Sequence, residues 1–587
     1  MAAKIKAPVN AAAVLLSYFL TCFIFSFFNV ESNFAVFIPT AAVIFAAARR
    51  TFALRCKRLL LLSYVYSVLL SLSFVLGSKI DIAEKTMASF GAEDAADFVM
   101  LSAFFFFTVS CILDLAAGHA FAKGRRVWGK RDYRILWASS SLLLFLCWLP
   151  ALLVYYPGNI SGDSVACIIR ALGKARLSNQ QPVFYIILMR PFMLLGKYFK
   201  DIDFGISCFA FFQLAVVSVS AGYALCRLKK ALVPLWAVLA AEAYFIFYPV
   251  FSMYSVTLWK DVPFSAFLLL YSLDIYALVE NGGRMGRGEF IRFMAFSLIL
   301  CFLRNNGFII VAAVMAAVLI AYRQYFKRFA PAFLALLIFV PIIQGPVYSS
   351  CGVLKSPFAE SVAVPLQQMA RTVKKDGNIT VGQKAFLNRL LDEKTVREVY
   401  NPLTADNIKF NKNFDNEFLE NNKAKFFKTW AGMFPHNVKE YIKAYCLETV
   451  GYWHIGTENW VVFEGTADVR DTRENSIASY DLLSGKAGTD LREAWRCYYG
   501  WWGTQPVLSD MLGIGFLFWS AMLSASALII KKGVRYLLPY LPLVMLWATL
   551  MAAVPTFCEY RYMFAFALFL PFGVMLPFTG RQPARKL

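Results

Sequence analysis

Fifteen apolar runs of near-spanning length decide what this chain can become. They lie at about 11–30, 33–49, 59–77, 98–118, 136–155, 182–199, 205–226, 231–250, 258–279, 290–304, 307–322, 330–349, 511–530, 535–553 and 558–578. Lipid offers no hydrogen bonds, so a chain built from such runs folds as an all-α polytopic membrane protein. Composition agrees: 59% of residues are hydrophobic and 16% charged, against about 25% charged in soluble domains. The net charge of +22 raises nucleic acid as a partner, but the Lys and Arg fall in short clusters between apolar runs. That pattern orients helices in a bilayer, and nucleic acid is set aside. The 12 Cys include no CxxC pair, and His119, His436 and His454 have no metal-ligand spacing. The run 11–30 resembles a signal peptide but lacks a small-residue cleavage site, and it reads as a retained helix.

Loop charge sets the expected topology. Arg49, Arg50, Arg55, Lys57 and Arg58 mark one cytoplasmic loop, and Lys123, Arg125, Arg126, Lys130, Arg131 and Arg134 mark the next. The acidic loop 78–97 between them, with Asp81, Glu84, Glu93, Asp94 and Asp97, falls outside. If 182–199 spans, Arg227, Lys229 and Lys230 land on the wrong face, as do Arg284, Arg287 and Arg292. If it lies along the outer surface instead, kinked by Pro182 and Pro191, every later basic cluster is cytoplasmic. The expectation is therefore about fourteen spanning helices in the plasma membrane with both termini cytoplasmic. The hydrophilic stretch 350–510 becomes an extracytoplasmic domain, α or α+β, long enough for its own core. Its aromatic end, Trp495 to Trp502, is expected at the membrane surface. No internal repeat is found, which weakens a secondary-transporter reading.

This topology brings unusual polar residues to one face. Asp163 follows a spanning run in Tyr155-Tyr156-Pro157-Gly158-Asn159-Ile160-Ser161-Gly162-Asp163-Ser164. Lys260 and Asp261 start the run 258–279, Arg304 stands in Arg304-Asn305-Asn306-Gly307, and Glu559-Tyr560-Arg561-Tyr562 opens the last run. Each has a bland explanation. Asp163 suits an N-cap, Lys260 and Asp261 an interfacial pair, Arg304 a helix end, and Glu559 and Arg561 each other. Their convergence favours a site. Cations at headgroup level would hold a lipid phosphate, and a carboxylate nearby would take a proton from an attacking hydroxyl.

On these residues the chain resembles the GT-C superfamily of integral-membrane glycosyltransferases, which use polyprenyl-phosphate sugars as donors. The resemblance covers most of 136–350 and 511–578. It rests on an Asp in the first large outer loop followed by surface helices, here Asp163 and 164–199, on Arg561-Tyr562 near the outer end of a late helix, and on the Arg304…Gly307 turn. The chain departs from the superfamily where Gln181-Pro182-Val183 replaces a frequent His-Pro-Pro, and in the missing Pro after Arg561-Tyr562. It looks like a bacterial branch with a Tyr-Pro-Gly…Asp-Ser loop. The resemblance implies an N-terminal addition over 1–118, a transmembrane core over 119–349 with outer loop and surface helices at 156–200, the outer domain 350–510, and C-terminal helices in 511–587.

It also implies an inverting transfer from a polyprenyl-phosphate sugar to an envelope glycan, lipid or protein acceptor. Asp163 would be the general base, and Lys260, Arg304 and Arg561 would hold the donor phosphate, with Asp261, Glu559, Tyr562 and Ser164 in support. No organic cofactor is implied. A divalent cation is open, with Asp261 or Glu559 as a second carboxylate. Two other classes compete: a transporter or flippase for a lipid-linked sugar or polymer, which needs a polar path across the membrane, and a non-catalytic envelope-assembly protein that docks partners through 350–510.

Overall fold

The computed structural model of the chain describes residues 2–31, 33–119, 121, 128–457, 459, 489–506, 508–553 and 555–579. Among them, ten helices are long and apolar enough to cross a membrane: Phe34–Ala53, Lys57–Ser78, Ala92–Gly118, Lys130–Val154, Ile202–Lys230, Asp261–Glu280, Arg323–Ser350, Ile514–Lys532, Val534–Ala553 and Tyr560–Phe578. Leu235–Phe247 and Pro249–Ser255 form an eleventh if their 60° bend is read as a broken span. The chain is a multi-pass, all-α membrane protein. The expected fourteen exceed this count for a physical reason: hydropathy does not see where helices stop. Arg287–Leu303 has 17 residues and Gly307–Ala321 has 15, so they reach only about 25 and 22 Å. The first helix, Ala2–Phe27, has 26 residues and is apolar from Ala11 onward, so the ten spans counted leave it out.

Lipid gives helices no hydrophobic reason to associate, so small residues set the close contacts. A Cβ on Gly222 would stand 2.3 Å from Ser141 Oγ, which locks Ile202–Lys230 against Lys130–Val154. Gly196 and Gly205 touch backbone to backbone where the helix Val183–Tyr198 meets Ile202–Lys230. Eleven residues before Gly196, Tyr185 packs on Phe209, which is only four residues after Gly205. Two helices running side by side would advance equally, so this 16-residue helix crosses its neighbour obliquely. It is too short for a span.

The ends of the bundle differ. Asp261 begins the central helix Asp261–Glu280, and Glu280 ends it beside Lys532. Around Glu280 gather Arg284, which donates to Tyr325 Oη at 2.9 Å, Arg328, which donates to Gly286 O at 3.1 Å, and Arg535, stacked on Tyr322. Lys229 and Lys230 lie over Trp128 and Tyr133, at the start of Lys130–Val154. Lys123, Arg125, Arg126 and the basic stretch 581–586 lie outside the described residues.

The other end carries a cap of short helices running from Ala363–Lys374 to Val438–Thr449. Leu366, Met369, Phe386, Leu419, Phe426 and Met433 form its own core. A β-hairpin pairing Ile80 with Met87 and Asp81 with Thr86 is wedged beneath it. Ile80 and Ile82 pack against Leu403, Val450, Phe557 and Cys558. The cap thus rests on the turn leading into the last spanning helix. The aromatic helix Thr489–Thr504 leans on the bundle end through Trp502 against Tyr248 and a hydrogen bond from Tyr498 to the Phe247 carbonyl.

Candidate functional site

The loop that carries Asp163 is zipped to the segment that carries Lys260. Asn159 N donates to Val256 O and Leu258 N to Asn159 O, both at 3.0 Å. Ser164 Oγ donates to Leu258 O at 2.9 Å, and the Trp259 indole donates to Ser161 Oγ. Gln213, buried in the helix Ile202–Lys230, donates to the Ser255 and Thr257 carbonyls. Gly158 sits at φ +156°, which L side chains rarely adopt, and a Cβ there would also crowd the end of the Leu258 side chain at 2.5 Å. Two stretches about a hundred residues apart therefore present their side chains as one surface.

On that surface the charged residues form one connected set. Arg561 Nη1 pairs with Asp163 Oδ2 at 2.7 Å, and its Nε faces Glu559 Oε1 at 3.3 Å. Gln181 Nε2 donates to Asp163 Oδ1 at 3.0 Å, while Gln181 Oε1 accepts from Lys260 Nζ at 2.6 Å. Arg304 pairs with Asp261 at 3.0 Å. The Tyr562 ring lies between the two guanidinium groups, 4.8 Å from that of Arg304 and 5.0 Å from that of Arg561. Trp259 flanks Arg561 at 4.7 Å. Aromatic faces hold guanidinium planes in place without neutralising them.

Local folding explains the placement. Arg304 ends the helix Arg287–Leu303, and Gly307 begins the next; a Cβ on Gly307 would fall 2.0 Å from Leu300 O, so only glycine permits this tight turn. Asp163 is the second residue of the helix Gly162–Ala171, whose N-cap position is Ser161. Its carboxylate turns to Arg561 and Gln181, which removes the capping explanation. Ser164 turns its hydroxyl away, to the Leu258 carbonyl, and so positions the loop. Arg304 does more than end a helix, because its side chain meets Asp261. Lys260 and Asp261, neighbours in sequence, take different partners. Gln181 was visible in the sequence only as a departure from His-Pro-Pro. Its amide joins Lys260 to Asp163 because it can accept from one and donate to the other.

The two outermost carboxyl groups behave oppositely. Burial pushes Asp163 up, but the charges of Arg561 and Lys260 and the hydrogen bonds from Arg561 and Gln181 outweigh it and hold the group at about 2. Glu559 is buried with less help. Burial raises it, Arg561 only partly offsets that, and Asp261 and Asp163 push it further up. Asp261 is 1% exposed, and neither of its oxygens accepts a well-directed hydrogen bond from the described residues. Among those residues no group of three His, Cys, Asp or Glu side chains stands together as metal ligands. The three carboxylates face guanidinium groups instead.

The cap closes over this set. Leu403 O accepts from Phe557 N at 3.2 Å, and Tyr452 Oη donates to Thr556 O at 2.6 Å. Gly451 packs on Cys558, where a Cβ would clash at 2.2 Å.

No curated protein and no solved structure matches the chain. One family profile does, over residues 172–586. The match takes in Gln181, Lys260, Asp261, Arg304, Glu559 and Arg561, and it begins just after the helix that carries Asp163. It covers more than two thirds of the sequence, so the chain belongs to a family of unknown function (DUF6020).

Proposed function

We propose that this chain is a membrane glycosyltransferase that moves a sugar from a polyprenyl-phosphate donor to an acceptor hydroxyl of the cell envelope, on the extracytoplasmic face. The observation that supports the reading is the connected set: Lys260, Arg304 and Arg561 converge at one bundle end, with aromatic rings holding the guanidinium planes and Asp163 touching Arg561. A lipid phosphate at headgroup level needs such fixed donors. In the proposed reaction an acceptor oxygen attacks the anomeric carbon from the face opposite the phosphate. The bond between that carbon and the phosphate oxygen breaks, and its electron pair leaves with the polyprenyl phosphate. The hydroxyl proton passes to Asp163, and the configuration inverts.

The ion pair supports an order of events. While Arg561 holds Asp163 at about 2, the carboxylate is a poor base. A donor phosphate is the stronger partner for a guanidinium and competes for Arg561. Asp163 then loses its nearest counter-ion and regains basicity beside the bound donor. The test is transfer from a panel of radiolabelled polyprenyl-phosphate sugars by the purified chain in proteoliposomes, beside Asp163→Asn. Transfer from one donor by wild type, lost in the variant, is expected. No transfer from any donor, or equal transfer by the variant, ends this reading.

A further inference from the structure

A second feature lies on the cap, outside the charged set. A cleft of about 700 Å³ opens between the cap and the hairpin turn. The cleft is wide open to solvent, and its volume falls within the range of small-ligand sites, roughly 300–1,000 Å³. Phe410 is 59% exposed on its wall. One face of its ring is covered by Lys409 Nζ at 4.9 Å. Asn401, Asn407 and Asn411 line the same cleft. Asn401 and Asn411 spend their Oδ1 atoms on the backbone amides of Leu403 and Asn413, which leaves their Nδ2 groups as donors. Lys85, from the hairpin turn, and Lys412 supply cations, and Glu398 one carboxylate.

A bare aromatic face bordered by planar amides suits one ligand chemistry. A pyranose ring has a C–H face that lies on an aromatic ring and a rim of hydroxyls that exchange hydrogen bonds with amides and ammonium groups. The wall of the cleft is also tied to the turn that carries Glu559. Pro402 on its wall precedes Leu403, which is bonded to Phe557, two residues before Glu559. Asp406, beside Asn407, is close enough to press on the charge of Glu559.

We infer that the cleft formed by Phe410, the three asparagines and the hairpin turn binds an oligosaccharide and is the acceptor site of the proposed transferase. The acceptor role rests on the transfer reading; the binding of a glycan does not. The hairpin then has a function as well as a structural role, since Lys85 completes the cleft from a segment before the family match.

The experiment uses the full chain in nanodiscs, free of sugar-based detergent. Chitohexaose, maltohexaose and a hyaluronan hexasaccharide are titrated as neutral and anionic probes, and polyprenyl-phosphate binding is read on the same samples. One probe is expected to bind saturably. Phe410→Ala should weaken it at least about fivefold by removing the ring face, with donor binding unchanged. Val381→Ala, an exposed apolar position elsewhere on the cap, should leave glycan binding as it is. No saturable binding of any probe, or equal binding by Phe410→Ala, overturns the inference. Glycan binding lost in Phe410→Ala, with no donor binding by wild type, keeps the glycan site and removes the transfer reading.

Discussion

The two ends of the central helix Asp261–Glu280 both collect cations, and they use them differently. At the Glu280 end, Arg284 bonds a phenol, Arg328 bonds two backbone carbonyls, and Arg535 lies on an aromatic ring. Arg292 and Lys532 at that end do meet carboxylates, Asp274 and Glu280, but as separate pairs and not as one connected set. At the Asp261 end, Arg304, Arg561 and Lys260 meet Asp261, Asp163, Glu559 and the bridging amide of Gln181, with Tyr562 between the two arginines. On the proposed topology, charge at the first end works by number, as orientation in a bilayer requires. On the proposed transfer reading, charge at the second works by position, as recognition of a planar or tetrahedral anion requires. Equal residue types thus carry unequal information, and the difference can be tested.

The largest effect is all or none. A single Cys at Lys375, in the cap, should label only from outside intact cells, and one at Arg287 only from inside. Labelling of both from one side would show that the two ends do not face opposite sides of the membrane. Next in size is Asp163→Asn, which should lower transfer at least about 10²-fold, the low end for a positioned general base. Donor affinity should hold or improve, because Arg561 loses the carboxylate that competes with phosphate. A fall in donor affinity with an unchanged rate would make Asp163 a structural partner of Arg561.

Much of this contrast was legible in the sequence, and the parts that were not have physical reasons. Asp163, Lys260, Asp261, Arg304, Glu559 and Arg561 stood out because a charge beside an apolar run is costly. Gln181 carries no charge, so its bridge between Lys260 and Asp163 became visible only in three dimensions. Carboxylate partners could not be read from spacing: Asp163 and Arg561 lie 398 positions apart. The apolar runs gave the class of fold, but the number of spans depended on the bend before Pro249 and the turn at Gly307, which hydropathy averages away. Residues 1–118 gave no reading of their role, because the hairpin acts through its contacts with Leu403 and Phe557, both distant in sequence.

Removing a donor-binding cation should come next. Lys260→Ala, Arg304→Ala and Arg561→Ala should each weaken donor binding roughly 10- to 100-fold, since a charge-assisted bond is worth about 1.5–3 kcal/mol. Lys at 304 or 561 should restore only part of it, for want of a second donor and a plane to stack on Tyr562. Three variants that bind donor like wild type would dissolve the shared phosphate site. A smaller effect concerns acid. Asp163 is held below the ordinary carboxylate value, so what its pairing adds to stability is complete above about pH 4 and disappears as pH falls to about 2. Its side chain is 38% exposed, so solvent screening keeps this below about 1 kcal/mol. The stability gap between wild type and Asp163→Asn, measured across that range before donor is added, should narrow toward zero at the acid end. A gap that widens there would mean that the carboxyl is stabilised in its protonated form.

The smallest effect is expected at the other end, and it completes the comparison. Arg284→Lys keeps the positive charge and exchanges one donor to Tyr325 for another. Among the described residues the Arg284 guanidinium makes no other hydrogen bond, and exposed substitutions of this kind shift stability by about 0.5 kcal/mol or less. Stability, Cys labelling at Arg287 and transfer rate should therefore all match wild type. The identical exchange at Arg561 should fail, because there the plane lies between Trp259 and Tyr562 and faces two carboxylates. The pair of Arg→Lys variants holds the chemistry constant and changes only the end of the bundle. If both exchanges cost the same, the arginines at the two ends are equivalent, and the distinction between charge by number and charge by position fails.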